Sequence, residues 1–405
     1  MKLNTEIKII LIYALCFGVL FFLSGSFFFI GLLNESNFLH WDAEHYYYIK
    51  NYGYEGFRVA FFPLFPLFWK VSGLNVYGIV ISNVLLFLIS FYFLCKMLCL
   101  KPMEIILYLS IPGFCFFLLP YSESVFFASS TLLLFGLKNK KLPFILLGLL
   151  LSTLSRPAFT VFIPALILAE FSGENISRKT FIKIALYIFT SVCGLLLVGI
   201  IQHHYTGEWF TFFEVQKGWG NELQLPRFPL TSWAGDSIVR LDGSALLIGT
   251  VSGIVMLILV FRSKIAKRFS FNKEVAFSLA YLAGISLTVL FFRGGSLFSL
   301  NRFVYATPFI IVAVNFYLKQ DLRITKKHLL YGFASLSVFW LLFGSYVHIQ
   351  TLLKYELLTV YMLLPLVVKM DNKVVGKTAY FVLIALNLLF QFTLLTRFLQ
   401  GDWVG

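Results

Sequence analysis

Apolar runs alternate with short polar connections along the whole chain. They fall at about 8–31, 76–98, 103–119, 124–137, 142–155, 157–170, 182–202, 244–261, 275–292, 303–318, 329–347, 355–368 and 378–398. Runs of this length and composition predict helices that cross a membrane, singly or in company. Several hold only 14 to 16 residues, short of the roughly 20 that span a bilayer. They are expected as tilted neighbours in a thick bundle, or as ends that dip into the membrane under protein cover. The first run has no small-residue cleavage site and reads as a retained helix. No repeat of 20–50 residues, low-complexity tract or soluble domain interrupts the pattern. The expectation is therefore an all-α polytopic membrane protein, residues 1–405 forming one transmembrane domain of about 13 helices (11–13).

Composition strengthens this reading. Apolar residues make up 59%, aromatics 19% and charged residues 13%, with 48 Phe, whereas a soluble domain carries about 25% charged residues. A soluble enzyme, a disordered chain and a disulfide scaffold are excluded. The net charge of +14 would suggest nucleic acid in a soluble chain. Placing the N-terminus inside and alternating the runs puts 22 cations and seven acids on the inner side, against 11 and 12 on the outer side. That is the positive-inside asymmetry. The basic balance is topological, and nucleic acid drops out as a partner. Cys16, Cys95, Cys99, Cys115 and Cys193 all lie in apolar runs, without CxxC or zinc-like spacing. They read as buried apolar thiols, and no metal or cofactor is expected.

No run holds an ionisable residue near its middle. Pumps and ion-coupled transporters place such residues at mid-membrane, because these groups form the pathway. Here the ionisable groups that are not inner anchors gather at the outer mouth, chiefly in the segments 34–75 and 203–243. That points to chemistry at the outer surface.

The densest outer segment runs from His40 to Lys70 and packs Asp42, Glu44, His45 and Lys50 among aromatics. On a helix Asp42, His45, Tyr46 and Ile49 share a face. Trp41 and the Tyr46–Tyr48 run also suit an interfacial aromatic belt with solvated charges. The Pro63 and Pro66 pair predicts a stiff extended or kinked element where a helix stops. Glu123, in Pro120–Ser124, is a candidate site acid or a plain N-terminal helix charge. Arg156, Arg293 and Arg302 stand at outer ends of spans, where they either serve a site or snorkel to headgroups. Lys217, Arg227, Arg240, His203 and His204 are individually uninformative.

The order His40-Trp41-Asp42-Ala43-Glu44-His45-Tyr46, then Gly53-Tyr54, then Ala60-Phe61-Phe62-Pro63-Leu64-Phe65-Pro66 resembles the first luminal loop of the second GPI mannosyltransferase family, PIG-V, and its prokaryotic relatives. Tyr121-Ser122-Glu123-Ser124 is similar to that family's YSE motif, and Ser155-Arg156 to the Arg after the next helical hairpin. The resemblance covers about residues 38–160 and departs at Pro157-Ala158, where the family has a small polar pair. Beyond that it rests on hydropathy and a loosely similar Arg302-Phe303 segment. It implies a GT-C membrane glycosyltransferase that uses a polyprenyl-phosphate sugar, typically dolichyl-phosphate mannose, and no nucleotide. Asp42 would be the catalytic residue, with Trp41, Glu44, His45, Tyr121, Glu123, Arg156 and Arg302 binding substrate.

The chemistry fits this composition. A lipid-phosphate donor needs an apolar groove for its tail, cations for the leaving phosphate and a carboxylate base for the acceptor hydroxyl. The expected function is an inverting mannosyltransferase on the outer face of a prokaryotic plasma membrane, with the endoplasmic reticulum as the alternative site. The acceptor would be a glycolipid or a protein. The alternatives are a transporter of lipid-linked sugars or lipids with an outer vestibule, and a non-catalytic subunit that binds polyprenyl lipids.

Overall fold

The computed structural model describes residues 4–27, 31–157, 159–172, 177–266 and 271–405. Of the residues discussed or counted above, Lys2, Ala158, Glu174, Lys267 and Arg268 lie outside these ranges. The described residues form helices and no strand. In chain order they are α1 (Thr5–Phe27), α2 (Asp42–Tyr52), α3 (Leu64–Ser72), α4 (Val76–Leu98), α5 (Pro102–Leu109) and α6 (Glu123–Lys138). There follow α7 (Leu142–Ser155), α8 (Phe159–Phe171), α9 (Arg178–Thr206), α10 (Thr211–Gly218), α11 (Asp236–Ala266) and α12 (Lys273–Phe292). The last are α13 (Leu300–Tyr305), α14 (Pro308–Lys319), α15 (Lys326–Trp340), α16 (Ile349–Val367) and α17 (Lys373–Leu399).

Among the described residues, α1, α4, α9, α11, α12 and α17 are each long and apolar enough to cross a membrane. The 3-10 turn Pro112–Leu118 and α6 meet the same length and hydropathy criteria only when taken together, and they are bent by 112° at the break between them. Large apolar side chains such as Leu15, Leu20, Phe189, Leu257 and Phe261 stay exposed on these helices. In water they would be an aggregation liability; in a bilayer they are the lipid face. The chain is a membrane-embedded helical protein.

Several apolar runs are less continuous than expected. Run 103–119 breaks after α5, where Pro112 starts the 3-10 turn, and run 303–318 breaks between α13 and α14 at Pro308. Proline lacks the amide that would continue a helix but fits its first turn. The same rule corrects the Pro63–Pro66 expectation. Pro63 directly precedes α3 and Pro66 sits in its first turn, so this pair begins a helix instead of ending one. Cys99 is likewise exposed at the left-handed C-cap of α4, not buried like Cys95; Cys16 is also exposed.

Small residues let the helices close up, as membrane packing requires in the absence of a strong hydrophobic drive. A Cβ on Gly148 of α7 would sit 2.6 Å from the Leu133 amide nitrogen of α6. Beside it, Ser152 donates to Ser129 at 2.9 Å across the same interface. This tight α6–α7 hairpin places Glu123, at the start of α6, beside Arg156, at the end of α7.

Candidate active site

The segment between α1 and α4 lies at one end of the bundle, and α2 opens there with Asp42. Trp41 before it has φ +58°, a region uncommon for bulky residues. Its indole donates to the Gly401 carbonyl at 3.1 Å, and its ring packs edge-on against Trp233 and Trp403 at 5.5 and 5.3 Å. The turn before Asp42 is thus held from two distant parts of the chain, the C-terminal segment and the segment that carries Trp233. On α2, Ala43, Tyr46 and Ile49 face inward and Glu44 is exposed.

Asp42 Oδ2 pairs with Arg302 Nη2 at 2.7 Å. The same guanidinium reaches Glu123 Oε1 through Nε at 2.8 Å. Glu123 also pairs with Arg156 Nη2. Arg156 Nε donates to Ser122 Oγ at 3.1 Å, and the Tyr46 hydroxyl donates to the same oxygen at 3.0 Å. A continuous polar chain therefore joins α2, α13, the start of α6 and the end of α7. Glu123 is 1% exposed, and Arg156 and Arg302 are 7% each. At the N-terminus of α6 the helix dipole also favours the Glu123 carboxylate.

The cations outnumber what these two acids neutralise. The Phe303 ring lies 5.6, 6.0 and 5.7 Å from the guanidinium carbons of Arg156, Arg293 and Arg302. Burial pushes Arg293 down to about 10, partly offset by Asp242, so it stays charged at neutral pH. For Arg302 burial works against the charge, but Glu123 and Asp42 outweigh it and hold the group above its ordinary value. Arg302 Nη1 and Glu123 Oε2 are buried with no hydrogen-bond partner. Buried polar atoms seldom stay unpaired in a finished structure.

Aromatic walls enclose the cluster. Tyr121 is buried, stacks on Phe116 at 6.1 Å and lies 5.0 Å from the Arg302 guanidinium carbon. Burial, reinforced by the Asp42 charge, holds its hydroxyl protonated well above the usual phenol range. His45 sits beside the cluster between Phe57 and Phe61, at 5.0 and 5.1 Å, with Nδ1 buried and unpartnered. Burial lowers its pKa, against the opposing pull of Asp42 and Glu44 and with help from Arg58.

Of the residues singled out from sequence, Asp42, Glu123, Arg156 and Arg302 come together in one ionic chain. Trp41, Tyr121 and His45 line it, and Glu44 does not reach it. Asp242 was missed. It is fully buried on α11 and accepts from the Asn301 amide and the Asn301 side chain, both at 2.9 Å, and from Ser232 at 2.7 Å. Since Asn301 precedes Arg302, Asp242 fixes the start of α13 and so aims Arg302. The segment 203–243 adds to this support. Thr231 exchanges backbone hydrogen bonds with Gly295 and Leu297 at 3.1 and 2.8 Å, and Arg227 donates to Gly294 at 2.9 Å. Gly295 has φ +93°, and a Cβ there would meet the Arg227 carbonyl at 2.7 Å. The readable signal for Asp242 is an acid on the apolar face of α11, in register with the buried Ile238, Ala245 and Leu246.

No protein-family model, curated protein or solved structure matches this chain.

Proposed function

We propose that this protein is a membrane glycosyltransferase of GT-C type that moves a sugar from a polyprenyl phosphate to an acceptor hydroxyl. The observation that carries the reading is the buried chain Asp42–Arg302–Glu123–Arg156 at one end of an apolar helical bundle. Such a cluster is costly to bury, and its unpaired Arg302 Nη1 is suited to an anion. The resemblance of residues 38–160 to the PIG-V family supports the same assignment and makes mannose the first sugar to test. The positive-inside charge asymmetry supports an N-terminus in the cytoplasm and a site on the outer face of the membrane.

In this mechanism Asp42 acts as the base. Arg302 occupies its Oδ2, so Oδ1 takes the proton of the acceptor hydroxyl. The acceptor oxygen attacks the anomeric carbon as the bond to the phosphate oxygen breaks. The phosphate leaves with that electron pair, and Arg302, Arg156 and Arg293 stabilise its growing charge. Attack opposite the leaving group inverts the anomeric centre. Tyr121 and the neighbouring rings keep water from competing with the acceptor.

The test is turnover of polyprenyl-phosphate mannose by purified wild type, Asp42→Asn and Glu44→Gln at matched stability. A positioned base contributes about 10²–10⁴ in rate, so Asp42→Asn should lose that much and Glu44→Gln little. Normal turnover by Asp42→Asn would remove Asp42 from the chemistry. Absence of turnover by wild type, with this and other polyprenyl-phosphate sugars, would overturn the enzyme reading.

A further inference from the structure

A second feature at the same end of the bundle lies outside the ionic chain. A cavity of about 480 Å³ opens between the 3-10 turn Glu35–Phe38, the far side of α2 and the α3–α4 turn, lined by Glu35, Ser36, Tyr47, Lys50, Leu74 and Asn75 among others. Lys50 is on α2, eight residues beyond Asp42, or about 12 Å along the helix. We infer that this cavity binds the headgroup of a zwitterionic phospholipid of the phosphoethanolamine class, with Lys50 on the phosphate and Glu35 on the ammonium.

Three observations carry this. First, Lys50 is half-buried and fixed, its Nζ lying 5.4 and 5.6 Å from the rings of Tyr47 and Trp69. No carboxylate among the described residues pairs with it. A part-buried ammonium beside aromatic faces and lacking a counter-ion is complementary to an anion.

Second, Glu35 lines the same cavity without closing on Lys50. Its Oε1 accepts the Val76 amide at 3.0 Å, which ties it to the first turn of α4. The walls are braced independently: Trp69 donates to the Leu74 carbonyl at 2.9 Å, Asn75 accepts from the Gly78 amide at 2.9 Å, and Tyr77 donates to the Leu33 carbonyl at 2.8 Å. The acid and the base are thus kept apart in a preformed cavity. A ligand with a phosphate and an ammonium a few bonds apart satisfies both, while a simple anion satisfies one.

Third, an apolar track leads away from the cavity. Tyr77, Ile81, Leu85, Ile89 and Phe93 recur every four residues along α4 and are 42, 58, 53, 55 and 60% exposed. They form one lipid-facing ridge of a membrane-crossing helix. An acyl chain whose headgroup sits at Lys50 would run down this ridge. A soluble phosphate ester would gain nothing from it.

This inference is independent of the proposed reaction. The protein, purified in detergent, is titrated with phosphatidylethanolamine, phosphatidylcholine and phosphatidylglycerol of identical chains, and retained lipid is read by native mass spectrometry. Water-soluble glycerophosphoethanolamine is the chain-free arm. Phosphatidylethanolamine should bind best, because phosphatidylcholine cannot donate to Glu35 and phosphatidylglycerol places no cation there. Lys50→Gln and Glu35→Gln should each weaken that binding about tenfold, the scale of one charge-assisted hydrogen bond. Lys50→Arg should restore it, which separates loss of the cation from loss of packing on Trp69. The chain-free headgroup should bind at least tenfold more weakly. Equal retention of the three lipids, or unchanged binding in both Gln variants, would overturn the assignment. Equal binding of glycerophosphoethanolamine and the full lipid would overturn the lipid source.

Discussion

Glu123→Gln is the most informative single change to the ionic chain. Glutamine has nearly the shape of glutamate but loses the charge that two arginines share. Arg302 Nε lies 2.8 Å from Glu123 Oε1, and Arg156 Nη2 pairs with the same oxygen, all three side chains being at most 8% exposed. In the variant only Asp42 would remain to balance two buried guanidiniums, with a third, Arg293, across the Phe303 ring. Removing one partner of a buried ion pair costs about 3–5 kcal/mol, because the other charge is left uncompensated. That is a factor of roughly 10²–10⁴ in the folded-to-unfolded ratio. The assay is reversible unfolding of the micelle-solubilised protein by a denaturing detergent, followed by tryptophan fluorescence. A control tests whether charge is the cause. Glu123→Leu combined with Arg156→Met should cost less than Glu123→Leu alone, since apolar replacement of both partners is often nearly neutral. Phosphate-bearing lipid should also stabilise Glu123→Gln more than wild type, because that site has gained positive charge. If Glu123→Gln unfolds within about 0.5 kcal/mol of wild type, the cluster is wet and the buried-charge argument fails.

Three further outcomes follow from the same geometry. Arg156→Ala and Arg302→Ala should each weaken donor use by about 1.5–3 kcal/mol, the worth of one charge-assisted contact. Arg302→Lys should recover little, because it cannot bridge Asp42 and Glu123 together; kcat/KM for the donor checks all three. Asp242→Ala should raise the donor KM while Asp242→Asn stays close to wild type, since asparagine can still accept from Asn301. Asp242→Ala and Asn301→Ala should be non-additive in a double-mutant cycle if they act through one bond network. His45 is half-buried with a lowered pKa, so its neutral form is the one the fold favours. Stability should then be complete above pH 6.5, the unfolded value, and be lost as pH falls through the lower folded value. His45→Phe should flatten that limb of a thermal-melt pH series.

The membrane character was legible because it is collective: no local detail can hide 59% apolar residues. Helix continuity was less legible, because a run of apolar residues is silent about where the backbone bends. Pro112 and Pro308 split two runs into pieces, while Pro63 and Pro66 start a helix where a stop was expected. In each case proline stands just before a helix or in its first turn, where no amide is needed. Helix geometry implies only that one of Asp42 and Glu44 should dominate, since residues two apart face different ways; the choice of Asp42 rests on the resemblance, and on α2 Glu44 is the exposed one of the two.

Pairing was the part that sequence could not carry. Arg302 is 260 residues from Asp42, and nothing in either neighbourhood says which acid takes which arginine. That is decided by the α6–α7 hairpin, whose glycines let Glu123 and Arg156 stand side by side, and by the break between α13 and α14 that lets Arg302 turn inward. Asp242 escaped for a related reason. Its apolar run was taken to begin at residue 244, yet α11 begins at Asp236 and carries the acid inside. A carboxylate just short of an apolar run looks like a solvated boundary residue. Only when Asn301 and Ser232 converge on it does burial become affordable, because their three hydrogen bonds replace water. The residues that aim the site are therefore harder to read than those within it. Their chemistry is ordinary, and their meaning lies in which distant backbone they hold.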